Sequence, residues 1–231
     1  MQKQALIVGI SGVIGRALAE KLQREGWQVA GLSRGKGAIP EGVRSLTADL
    51  TDAGAVQAVL AQEKPDALFF SVWSRQENEK ANIRVNGGMV RNVIEALGAR
   101  LNGAHVALVT GLKHYLGPFE AYGKGAVPVT PFREEQGRQP VDNFYYAQED
   151  EVFAGAEKYG YRWSVHRPHT IIGYAIGNAM NMGQIGRDTS ELQSRGLNSY
   201  AVFRLKKKPA LRLPHYILLA CMILINGCRY R

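Results

Sequence analysis

Between Lys113 and Asp150 the chain reads KHYLGPFEAYGKG, then a polar loop, then NFYYAQED. Two tyrosine-rich clusters, each beside a charged group, flank a loop rich in Gly and Pro. Such a loop is poorly suited to core packing and well suited to carrying a site. A phenol titrates near pH ~10, and a neighbouring ammonium favours its ionised form. A Tyr beside a Lys can therefore protonate or polarise a carbonyl oxygen next to a nicotinamide ring. The pairing of Tyr with Lys four residues later on one helix is absent: Tyr145 meets Glu149 at that interval, and Tyr146 meets Asp150. Any Lys partner of Tyr145 must come from another element.

The elements that would position these groups alternate. Ala5 to Val8 is a short apolar run of the buried parallel-strand type, and Val13 to Leu22 repeats apolar residues at helical spacing. The pattern continues with strands at Trp27 to Leu32 and, weakly, Val43 to Thr47, then a helix at Ala55 to Leu60. Ala67 to Val72 reads as a strand, Gly87 to Leu97 as a helix and Val106 to Thr110 as a strand. A helix from about Phe144 to Lys158 and a strand from Trp163 to His166 follow. Strands alternating with helices predict an α/β domain with a doubly wound parallel sheet. The strand ending at Thr110 and Gly111 puts Lys113 just past the carboxyl edge of the sheet, where such sheets bind ligands, and Tyr145 opens the next helix.

The first strand runs into Gly9-Ile-Ser-Gly12-Val-Ile-Gly15, directly ahead of the first helix. Glycines there permit a tight turn, let backbone N–H groups approach a pyrophosphate and bring helix close to strand. This predicts an NAD(P)-binding Rossmann domain. The second strand ends in Ser33-Arg34-Gly35-Lys36 without an acidic side chain. An NAD site usually places an acid there for the ribose hydroxyls, so the two cations favour NADP. Asp49, followed by Leu50, either reaches an adenine amino group or begins the next turn.

Composition narrows the partners. The formal charge is +9, but Gln184 to Arg231 holds nine Lys/Arg and two Asp/Glu, leaving residues 1–183 at only +2. The basicity belongs to the tail, and nucleic-acid binding loses its main support. Both cysteines, Cys221 and Cys228, lie in that tail, so the body has no thiol for a disulfide, a metal cluster or a nucleophile, and a reducing cytoplasm suits it. The longest apolar run, Tyr216 to Ile225, is ten residues, too short to span a bilayer. His166 and His169 are three apart, yet Pro168 lies between them and no carboxylate or Cys adjoins them, so no metal is expected. Phe144 reads as core. Tyr115, Tyr146 and Trp73 fit either a pocket or the core, and Glu149 and Asp150 fit either an orienting role or the macrodipole of a helix start.

The segments TGLKHYLGPFEAYGKG, PFREEQ, NFYYAQEDEVF and WSVHRPHTIIGYAIGNAMNMG resemble the progesterone 5β-reductase and iridoid synthase-like reductases, an atypical branch of the short-chain dehydrogenases/reductases. The resemblance runs from Ala5 to about Gly183. It implies a catalytic Lys at Lys113 and a catalytic Tyr at Tyr145. It also implies NADPH-dependent reduction of a C=C bond conjugated to a carbonyl, in a small-molecule enone or enal. Nucleotide contacts are implied at Gly9, Ser11, Gly12, Val13, Ile14, Gly15, Ser33, Arg34, Asp49 and Leu50. Nearer the nicotinamide, Ser71, Trp73, Thr110, Gly111, Tyr145, Pro168, His169, Thr170 and Ile171 are implied. Homodimer formation is left open. Carbonyl reduction uses the same groups, and a non-catalytic NADP-binding module is the alternative from a different class.

After Gly183 the resemblance stops. The expected division is a dinucleotide-binding domain over 1–183 and a basic tail over 184–231, with most of the C-terminal substrate domain missing. A frameshift or truncation near residue 184 would account for the change, and a basic amphipathic tail for a membrane or partner is the competing reading.

Overall fold

The computed structural model describes residues 2–118, 130–169, 171, 173, 175 and 228–230. Six parallel strands form the sheet: β1 (Gln4–Val8), β2 (Gln28–Ser33), β3 (Arg44–Thr47), β4 (Ala67–Phe70), β5 (His105–Val109) and β6 (Arg162–His166). Their spatial order is β3-β2-β1-β4-β5-β6, and a short strand β7 (Cys228–Tyr230) pairs antiparallel with β6. The helices are α1 (Val13–Arg24), α2 (Ala53–Leu60), α3 (Glu79–Leu97), the single turn α4 (Lys113–Leu116) and α5 (Phe144–Tyr159). The chain reverses direction across the sheet at β1 and β4, and that switch point opens a crevice at the carboxyl edge.

The sheet is apolar on both faces. Leu6, Val8, Leu68, Phe70, Val106 and Leu108 pack with Val90, Val93, Ile94 and Val152 from α3 and α5. Ala5, Ile7, Phe69 and Ala107 face the other way, with Leu18, Ala19 and Leu22 of α1. Each fully buried Leu or Phe contributes about 2 kcal/mol from removal of apolar surface from water.

Small residues decide how closely α3 and α5 approach. A methyl on Gly155 would lie 2.7 Å from Ile94 Cγ2, and one on Gly87 would lie 3.3 Å from the Ala147 methyl. This close packing carries the first residue of α3, Glu79, to the start of α5.

The main differences from the sequence expectation are two boundaries and one added turn. Helix α3 begins at Glu79 rather than Gly87, because Asn78 caps it by accepting from the Ala81 N–H at 2.9 Å, although the first two turns lack an apolar stripe. Strand β4 stops at Phe70 instead of Val72. Beyond it the segment bends away, held by Asn86, which accepts from Ser74 N–H at 2.7 Å and donates to the Ser74 carbonyl at 2.9 Å. The turn α4 was too short to show a period. The proposed boundary at Gly183 and nearly all of the tail lie outside the described residues. Among the described residues, no helix is long and apolar enough to cross a membrane.

Candidate active site

Strand β1 runs into Gly9, whose φ of +92° favours glycine. A side chain there would also strike the Ser71 carbonyl oxygen at 2.8 Å, and one on Gly15 would meet the Gly9 carbonyl oxygen at 2.2 Å. Gly12 precedes α1 and its first turn carries neither a side-chain cap nor an acid. The unpaired N–H groups of that turn and its positive end therefore face the crevice, an arrangement suited to a pyrophosphate. The residues present thus fit a dinucleotide.

The crevice is a cleft of about 550 Å³. It gathers Gly9, Ser11, Gly12, Val13, Ile14, Arg34, Ser71, Trp73, Thr110, Tyr145 and Ile171 of the expected positions, and adds Lys36, Val72 and Val109. Gly15 is needed for the close passage of helix over strand. Leu50 is buried in the core, and Ser33 receives the Gly35 N–H at 3.2 Å. Asp49 accepts from both the N–H and the hydroxyl of Thr51, bonds that hold its carboxyl below the usual range and begin the turn into α2. Gly111 lies against Tyr145: a methyl added to it would sit 3.3 Å from the phenol oxygen and 3.4 Å from the Pro168 carbonyl oxygen. His169 is described but does not line the cleft, and Thr170 lies outside the described residues.

Tyr145 and Lys113 stand on separate elements, and of the two Tyr145 is the one among the residues lining the cleft. Tyr145 is the second residue of α5, and Asn143 caps that helix by accepting from the Tyr145 N–H at 3.1 Å. The same Asn143 donates to the Lys113 carbonyl oxygen at 2.9 Å. Lys113 is only 2 % exposed. Its Nζ bonds Glu79 Oε2 at 2.6 Å and lies 4.4 Å from the Phe144 ring centroid. Trp73, 46 % exposed at the cleft rim, stacks on Phe144 with centroids 5.5 Å apart.

The KHYL turn is clamped along its length. The Lys113 carbonyl is held by Asn143, the His114 carbonyl by the Tyr146 hydroxyl at 2.6 Å, and the Tyr115 carbonyl by Gln139. Beneath it, Glu149 is buried and accepts Arg167 Nη2 at 2.9 Å and Arg138 Nη2 at 3.2 Å. His114 Nδ1 stands 3.3 Å from Glu149 Oε1, an electrostatic approach without a well-aligned hydrogen bond. Burial alone would raise the Glu149 pKa, but His114 and Arg167 together hold its carboxyl below the ordinary value. The position four residues after Tyr145 is therefore an anion that fixes the Lys113 turn from below. Tyr115 and Tyr146 are buried parts of that support.

A second buried chain crosses the adjoining strands. Ser164 Oγ lies 2.9 Å from His105 Nε2 and 3.0 Å from His166 Nε2. Burial pushes the His166 pKa down to about 4, aided by His105. At the opposite, amino edge of the sheet, a cleft of about 490 Å³ is lined in part by Arg44 and Glu63, which pair with each other.

Glu79 was not anticipated as a site residue. Asn78 followed by Glu79 marks a helix start, but no sequence signal links Glu79 to a Lys 34 residues later.

A parallel sheet with this glycine turn, this switch-point cleft and a Tyr at its edge defines an NAD(P)-binding Rossmann fold. Solved structures agree at the level of the fold. The WbmH enzyme of Bordetella bronchiseptica in complex with NAD+ superposes with a TM-score of 0.62 at 19% identity, over 84% of this chain and 64% of that one. The UDP-glucose 4-epimerase of Thermus thermophilus in complex with NAD gives 0.63 at 20% identity, over 85% and 64%.

The chain belongs to the NAD dependent epimerase/dehydratase family, whose profile matches residues 5–201. Within it, the chain falls in the progesterone 5β-reductase and iridoid synthase-like branch. It is 36% identical to an (S)-8-oxocitronellyl enol synthase of Camptotheca acuminata over 192 residues, 78% of this chain and 49% of that protein. It is 35% identical to a 3-oxo-Delta(4,5)-steroid 5-beta-reductase of Arabidopsis thaliana over 189 residues, 77% of this chain and 48% of that protein. The chain spans about half the length of the curated relatives it matches.

Proposed function

We propose that this chain carries the dinucleotide-binding and proton-handling part of an NADPH-dependent reductase acting on the C=C bond of an enone or enal. The observation that carries the reading is that Tyr145 lines the same cleft as the Gly9 to Gly12 turn. A substrate carbonyl held against the Tyr145 hydroxyl would therefore face whatever occupies the nicotinamide end of the cleft. When bound, the reduced nicotinamide supplies a hydride.

Tyr145 stabilises the negative charge that develops on the substrate oxygen by donating its hydroxyl proton toward it. The Lys113 ammonium, paired with Glu79 beside the start of α5, is the cation this reading assigns to the same machinery. Trp73, backed by the buried Phe144 on which it stacks, gives the cleft rim an apolar surface that suits a hydrocarbon skeleton. Preference for NADPH over NADH rests on Arg34 and Lys36, which line the cleft, while none of the described residues lining it is Asp or Glu. The relatives named for steroid 5β-reduction and enol synthesis support the substrate class.

The test follows nicotinamide absorbance with this chain and a panel holding a cyclic enone, an enal and a saturated ketone. Consumption with the enone or enal but not the ketone supports C=C reduction. Consumption with the ketone alone assigns carbonyl reduction instead, and binding of NADPH without consumption of any substrate assigns a binding module.

A further inference from the structure

We propose that Glu79 is a positioning residue of the split Tyr/Lys site, joining Lys113 to the helix end that bears Tyr145. The inference rests on the reading of Lys113 and Tyr145 given above. These two residues stand on different elements, so no local helical geometry sets their spacing. One carboxylate from a third element bridges the two parts. Glu79 Oε2 accepts from Lys113 Nζ at 2.6 Å, and Glu79 Oε1 accepts from the Phe144 N–H at 2.7 Å. Asn82 Nδ2 adds a longer contact of 3.3 Å to Oε2.

The ordinary explanation of an acid in the first turn of a helix is its attraction to that helix's own positive end. That accounts for Glu79 at the start of α3. It does not account for a carboxylate aimed at the first N–H of another helix and at an ammonium. The Phe144 N–H is one of the donors that α5 leaves unsatisfied, so Glu79 completes the cap that Asn143 begins. A Lys with 2 % of its side chain exposed also needs an anion, because a buried charge without a partner is strongly disfavoured. Through its two oxygens Glu79 thus serves both needs and ties the Lys113 head group to the residue preceding Tyr145.

Two substitutions separate charge from shape. Glu79→Gln keeps the length and an acceptor but removes the charge, whereas Glu79→Asp keeps the charge and retracts it by one methylene. Lys113 is read independently of activity by reductive methylation and peptide mass mapping, with exposed Lys80 as internal standard. In the unaltered chain Lys113 should label about tenfold more slowly than Lys80, and Glu79→Gln should raise the Lys113 rate about fivefold without moving Lys80. With an enone, Glu79→Gln should lower kcat about tenfold or more while KM and the NADPH Kd change less than about threefold, and Glu79→Asp should retain more kcat than Glu79→Gln.

Unchanged Lys113 labelling in Glu79→Gln overturns the proposal, as does unchanged kcat. If the unaltered chain turns over nothing on the substrate panel, the functional reading fails, while the labelling still decides whether Glu79 holds Lys113. Should Glu79→Gln not fold, Glu79→Asp carries the labelling test, and a Lys113 rate equal to that of the unaltered chain overturns the proposal.

Discussion

Asn143 donates its side-chain amide to the backbone carbonyl of Lys113 at 2.9 Å, with both residues almost completely buried. Its carbonyl oxygen meanwhile caps α5 at the Tyr145 N–H. One short side chain therefore sets the register between the turn that bears Lys113 and the helix that bears Tyr145.

Asn143→Ala should remove a helix cap, worth about 1 kcal/mol, and leave a buried carbonyl short of its partner, costing about another 1 to 2 kcal/mol. Chemical denaturation should show a loss of about 2 to 3 kcal/mol. A loss below about 0.5 kcal/mol, the range of an ordinary surface substitution, would show that the turn does not depend on this residue.

Tyr145→Phe keeps the ring packed against Phe144 and removes only the hydroxyl. Turnover of an enone should fall by about a hundredfold or more, with NADPH affinity, measured by fluorescence titration, changed less than about threefold. Full activity in this variant would move the catalytic role to another residue.

Arg34→Ala and Lys36→Ala test the choice of dinucleotide. Each charge-assisted bond to a 2′-phosphate is worth about 1.5 to 3 kcal/mol, so loss of Arg34 should weaken NADPH by about 10- to 100-fold and leave NADH nearly unaffected. Equal weakening of both dinucleotides would mean that Arg34 contacts something other than the 2′-phosphate.

His166 makes stability depend on pH. Its pKa is about 4 in the fold against an ordinary 6.5, so between those values the unfolded chain binds the extra proton. The contribution is complete above about pH 6.5, falls by about 2 kcal/mol on going to pH 5, and levels off below about pH 4. His105 shifts the same way, through burial and the nearby Arg162 charge. Urea titrations at pH 7.5 and 5 should show this loss, and His166→Gln should reduce it by at least half. An identical pH dependence in the variant would remove His166 as its source.

Local pattern carried most of the scaffold into view. The apolar runs of β1, β4 and β5 and the GxxGxxG turn are short-range signals, since each records what one strand or one turn must bury or permit. The same holds for Phe144 as core and for the absence of Lys four residues after Tyr145. The start of α3 was hidden because Glu79 to Asn86 is mostly polar, and its cap at Asn78 is a weaker signal than an apolar stripe.

By itself, the amino-acid sequence determined a doubly wound parallel sheet, a glycine turn shaped for a pyrophosphate, and the residue types at the carboxyl edge. Only the tertiary structure decided that Glu79 meets both Lys113 and the start of α5, that Glu149 lies beneath the KHYL turn with Arg167, and that Leu50 belongs to the core. Those outcomes depend on how closely α3 and α5 pack through Gly87 and Gly155. Such a packing distance joins residues far apart in the chain, and no local period or motif records it.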